Sequence, residues 1–77
     1  MTDPQVKRVL RPELVELGNR VRRARYASSM TQAELSDRTG LSRVALSNIE
    51  LGVKEVGVLK LRRLAAALNV SVGQLVD

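Results

Sequence analysis

The 77-residue chain has no cysteine, histidine, tryptophan or phenylalanine, and a single tyrosine, Tyr26. Without cysteine it forms no disulfide and no thiolate metal site, which suits a reducing cytoplasm. Without histidine as well, acid–base, thiol and zinc-dependent catalysis lose their usual groups. No metal or cofactor is expected. Glu34 and Asp37 stand three apart, but a small exposed acid pair of this kind is ordinarily solvated. A lone aromatic is too few for a sequence-tolerant single-strand binder, which stacks bases on several rings. No run of about 18 apolar residues is present, so no membrane span is expected. The opening residues, MTDPQVKRVLRP, lack the apolar stretch of a signal peptide. Glycine-rich phosphate loops, internal repeats and low-complexity tracts are also missing.

What is present reads as one small helical domain with a small core. We expect an all-α fold of five helices over residues 12–77, preceded by a loose arm at residues 1–11. The first helix spans about 13–27, with Pro12 near its start, where a missing N–H costs nothing. Its expected buried stripe is Leu14, Leu17, Val21 and Ala24. A fourth helix covers about 58–68 and buries Leu61, Leu64, Ala65 and Leu68. A short fifth starts from Ser71, with Gln74 completing a capping box and Val70 stapling to Leu75.

The segment TQAELSDRTGLSRVALSNIELG, residues 31 to 52, holds the second and third helices. Thr31 and Glu34 form a capping box, and Met30 and Leu35 a hydrophobic staple. Gly40 fits the left-handed position that ends a helix cheaply. Ser42 then caps the next helix, Leu41 staples to Leu46, and Gly52 ends it. The turn is about three residues, as in a helix-turn-helix unit. Leu35, Leu41, Leu46 and Ile49 face inward, and Ser36 supplies a small residue where the helices approach. The third helix keeps an outer row of Ser42, Arg43, Ser47 and Asn48, with Val44 and Leu51 apolar and exposed. In a small basic chain, that shape points to the major groove of duplex DNA.

At this point the sequence resembles the lambda-repressor-like, Cro-type helix-turn-helix family, also called the xenobiotic-response-element family. Gln32, Leu35, Gly40, Leu41, Leu46, Ile49, Glu50 and Gly52 stand at the family's spacing. Ser36 departs from the family's usual alanine but keeps the size small. LGNRVRRAR at 17 to 25 resembles the family's first helix, and LRRLAAALNVSVGQLVD at 61 to 77 its last two. The resemblance implies a compact five-helix DNA-binding domain with helices two and three as the reading unit.

Chemistry and resemblance together nominate the DNA contacts. Arg43 can bond guanine O6 and N7 together, worth about 1–3 kcal/mol of discrimination; the alternative is a phosphate contact or a free surface charge. Asn48 can pair with adenine N6 and N7, or be a solvated amide. Val44 can pack on a thymine methyl, or be a partly buried neighbour of helix two. Ser42 and Ser47 are candidates for phosphate or base contacts, and Lys54 for a phosphate contact. The resemblance implies that Gln32 contacts the phosphate backbone and braces the recognition helix. It also implies that Arg25 pairs with Glu50, fixing that helix and placing a guanidinium near the DNA backbone.

Charge qualifies this reading. The net charge is +5, yet residues 31 to 56 hold three basic and four acidic side chains, whereas residues 1 to 30 hold seven basic and three acidic. Attraction to phosphate must therefore come mainly from outside the reading unit. The function expected is that of a cytoplasmic, sequence-specific transcriptional regulator, a repressor acting as a homodimer on a palindromic operator. The family often dimerises near the loop after the third helix and near the fifth helix, which makes Val56, Val58 and Leu75 dimer candidates; alternatively Val56 staples onto Leu61. Two other readings stay open. GVKEVGVLKL, residues 52 to 61, resembles the loop of HipB-type antitoxins, which bind DNA and a cognate toxin. The acidic balance of residues 31 to 56 also fits a protein-binding adaptor without DNA binding.

Overall fold

The computed structural model describes residues 11–77. They form five α-helices: α1 Pro12–Ala27, α2 Gln32–Thr39, α3 Arg43–Leu51, α4 Val58–Leu68 and α5 Val72–Val76. Among the described residues there is no strand, and no helix is long and apolar enough to cross a membrane. The arm expected at residues 1–11 lies outside them except for Arg11, which precedes α1 and pairs with Glu55 across the fold.

Local chemistry sets the helix ends. Pro12 is the first residue of α1. The Glu34 N–H donates to the Thr31 hydroxyl at 3.0 Å, and the Thr31 N–H donates back to the Glu34 carboxylate at 2.8 Å. This capping box satisfies two donors that would otherwise lack partners. The Thr31 N–H also holds the Glu34 carboxyl below the usual carboxylate range. Gly40 at φ 77° and Gly52 at φ 75° close α2 and α3 in the left-handed conformation. Ser42 caps α3 by accepting from the Ala45 N–H at 3.0 Å, and Ser71 and Gln74 form the second capping box at α5.

The core gathers Val21 from α1, Leu35 from α2, Leu46 and Ile49 from α3, and Leu64 and Leu68 from α4. Each such side chain contributes about 1.5–3 kcal/mol on leaving water. Met30 and Leu41, the two expected staples, are buried between helices. Leu64, Ala65 and Leu68 are buried as expected, while Leu61 is half-buried.

The α1 stripe is rotated from the expected one. Leu17 and Ala24 are only half-buried, and the buried line runs through Leu14, Gly18, Val21 and Arg25. The cause is the crossing of α3 over α1. A Cβ on Gly18 would meet the Ile49 carbonyl oxygen and would sit 2.6 Å from that of Glu50. One on Gly52 would lie 2.7 Å from the Val15 Cα. Backbone therefore rests on backbone at both glycines, and the end of α3 is locked onto the first half of α1.

Leu75 is 1% exposed. It packs inward against the core, as the Val70 staple requires, so it is no surface residue for a second subunit. The turn between α2 and α3 also holds more than small size. The Ser36 hydroxyl donates to the Leu41 carbonyl. The Thr39 hydroxyl donates to the Leu35 carbonyl at 2.7 Å and accepts from the Leu41 N–H at 3.2 Å.

Candidate nucleic-acid interface

Helix α3 divides along its length. Leu46, Ile49 and Glu50 face the interior, while Val44 is 72% exposed and Arg43 stands in solvent at its first turn. Ser47 and Asn48 are half-buried on the flanks of that outer row. The exposure of Val44 removes the alternative that it is a partly buried neighbour of α2. An apolar side chain left in water at the start of a helix, beside an arginine, has no role in this fold.

Ser42, Val44, Asn48 and Lys54 come together around a groove of about 240 Å³, formed by α3, the loop after it and the start of α4. Arg43 and Ser47, one helical turn apart, form a second row on the outer face of α3. Gln32 stands apart from the groove as the first residue of α2. The groove also contains Lys60, which the sequence reading passed over, and Glu55, whose charge is paired with Arg11.

Beneath this surface lies a buried ion pair. Arg25 Nε donates to Glu50 Oε2 at 2.7 Å, and Nη2 donates to Oε1 at 3.0 Å. Nη1 donates to the Met30 carbonyl at 3.0 Å. Arg25 is 8% exposed and Glu50 5%. The hydrogen bonds to Glu50 hold the Arg25 guanidinium more firmly protonated than usual, and the Tyr26 hydroxyl pushes the same way. The two-pronged geometry is the strong form of this contact. It joins the end of α1, the start of α2 and the end of α3 at one point. The guanidinium is turned inward with each of its three nitrogens hydrogen-bonded, so Arg25 fixes the reading helix. Gln32 Nε2 donates to Glu50 Oε1 at 3.3 Å, so the same carboxylate steers the glutamine amide.

Partnering also explains the acid-rich balance of residues 31 to 56. Glu34 closes a capping box, Glu50 is paired with Arg25, and Glu55 with Arg11. Of the four acids, only Asp37 is without such a contact among the described residues. Two of the four acidic charges, Glu50 and Glu55, are thus offset by arginines from outside the segment.

The family model for helix-turn-helix proteins matches residues 21–75. The chain belongs to the lambda-repressor-like, Cro-type helix-turn-helix family. It is a DNA-binding transcriptional regulator. A solved member of similar shape is the restriction-modification controller protein C.AhdI from Aeromonas hydrophila. It superposes with a TM-score of 0.81 at 31% identity, over 84% of this chain and 98% of that one. No curated protein matches the chain. In this family member, sequence reasoning found the caps, the turn and the outer row of α3. It missed Gly18, although a glycine in mid-helix costs about 1 kcal/mol against alanine and signals a close approach. It also missed Thr39 and Lys60, which carry no local signature.

Proposed function

We propose that the protein is a sequence-specific reader of duplex DNA that regulates transcription, by repression, as a homodimer on a palindromic operator in the cytoplasm. The observation that carries this reading is the outer face of α3, where Arg43, Val44 and Asn48 suit base edges and make no side-chain hydrogen bond or ion pair in the fold, on a helix pinned from behind by the Arg25–Glu50 pair. Arg43 reads guanine, Asn48 adenine, and Val44 a thymine methyl. Gln32, Ser42, Ser47 and Lys54 contact the backbone and set the register. Lys60, in the same groove as Lys54, joins them as a phosphate contact. The protein acts by binding alone, without catalysis.

A single recognition helix covers only a few base pairs, and a two-fold dimer doubles the contacts with half-sites about 34–36 Å apart. Val58 is 70% exposed and Val53 49%. They lie in and just after the loop following α3, and a second copy is the occupant we assign to them. Val56 is half-buried against the core and contributes less. The likeness to a restriction-modification controller makes a promoter beside restriction-modification genes the first natural operator to test. The antitoxin reading gains no support from either comparison. The adaptor reading is weakened, because Glu50 and Glu55 are paired with arginines within the fold.

Selection of binding sites from random duplex DNA, at two salt concentrations, tests the proposal. A palindromic motif, with affinity falling steeply in salt, is the expected result. An enriched half-site without symmetry would reject the dimer, and no enriched motif would reject sequence-specific reading.

A further inference from the structure

Arg11, at the entrance to α1, is paired with Glu55, 44 positions further along the chain. Their side chains are 46% and 69% exposed, and an ion pair so open to water contributes little to folding. Its place matters more than its strength. Glu55 lines the groove beside α3 together with Lys54 and Lys60, whereas Arg11 does not line it. Both lysines are exposed, and neither takes part in an ion pair among the described residues. A carboxylate in that company has an alternative to Arg11. Either ammonium group can satisfy it, and an ammonium so taken is lost to a DNA phosphate. Left without any partner, the carboxylate would repel the phosphates directly.

We propose that Arg11 is a positioning residue for DNA binding: by holding the Glu55 carboxylate, it keeps Lys54 and Lys60 free for phosphate. The proposal rests on the DNA-binding reading above and adds to it a residue that touches no DNA. Arg11 acts through Glu55, so its contribution disappears when that carboxylate is removed. A direct phosphate contact behaves otherwise, since its loss weakens binding whatever stands at position 55. The salt dependence carries a second signature. Lysines drawn to Glu55 release fewer counterions on binding, so the loss of Arg11 flattens that dependence.

The test is a double-variant cycle on the full chain, with the wild type, Arg11→Ala, Glu55→Gln and the two combined. Each protein is titrated into a labelled mixed-sequence duplex at several salt concentrations, with binding followed by anisotropy and thermal melting run alongside. Arg11→Ala should bind about 3- to 10-fold more weakly at low salt, with a flatter salt dependence, and should melt with the wild type. Glu55→Gln should bind at least as tightly as the wild type, and adding Arg11→Ala to it should change affinity by less than about two-fold. Four results overturn the proposal and leave DNA binding intact. They are wild-type affinity in Arg11→Ala, a loss there explained by a lowered melting temperature, weaker binding by Glu55→Gln, and an equal loss from Arg11→Ala in both backgrounds. Failure of the wild-type protein to bind duplex at all overturns both readings.

Discussion

The two sides of α3 are built under different constraints. On the inner side, Leu46, Ile49 and Glu50 are each no more than 5% exposed. Their neighbours include the backbone of α1, which approaches so closely at Gly18 that no side chain fits. On the outer side, Val44 is 72% exposed and Arg43 touches nothing the fold requires. The inner side therefore fixes where the helix stands, and the outer side is free to be chosen for what it meets. Substitutions on the two sides should separate stability from recognition.

The largest expected effect is at the ion pair. Arg25→Ala or Glu50→Ala leaves a buried charge without its partner and should cost about 3–5 kcal/mol in chemical unfolding. The double variant should lose clearly less than the sum, and strictly additive losses would remove the coupling between the two groups. Gly18→Ala comes next. It forces the α1–α3 crossing apart at a cost of about 1–3 kcal/mol, only partly offset by about 1 kcal/mol of better helix propensity. A melting temperature at or above wild type would show that the crossing can yield. Across the helix, Arg43→Ala should change folding stability by less than about 0.5 kcal/mol. It should instead erase about 1–3 kcal/mol of discrimination at one base of each half-site, measured by competition between single-base operator variants.

Smaller effects probe the turn and the cap. Ser36→Ala keeps the size but removes the hydroxyl that donates to the Leu41 carbonyl, a loss of about 1 kcal/mol. If alanine melts with the wild type, the close approach alone matters there. Glu34 gives the smallest effect and a pH dependence. Its carboxyl titrates lower in the folded chain than in the unfolded one, first because of the Thr31 N–H. The stabilisation is therefore present above the unfolded carboxylate range and is lost as pH falls through the folded value. A melting series into acid should be shallower for Glu34→Gln than for wild type, and parallel curves would contradict this.

The same division explains what the sequence revealed. Caps and stops are written locally: Thr31 with Glu34, Gly40, Ser42, Gly52, and Ser71 with Gln74 each act within one helical turn, and each stands where its chemistry required. The outer row of α3 was equally legible, because polar and exposed apolar residues break the inward periodicity. Contacts between distant segments were harder to read. The inward turn of Arg25 depends on Met30 and Glu50 together. The rotated stripe of α1 depends on backbone contact at Gly18 rather than on any apolar spacing. Leu75 looked available on a short terminal helix, yet the core encloses it.

The most direct test of the separation is paired thermal melting and site selection from random duplex DNA, for the wild type and for a variant carrying Arg43→Ala with Asn48→Ala. The account predicts matching melting temperatures, a palindromic motif for the wild type, and for the variant a motif degenerate at the positions those two side chains read. An identical motif from both proteins would contradict it, because the outer face of α3 would then not be the surface that reads DNA.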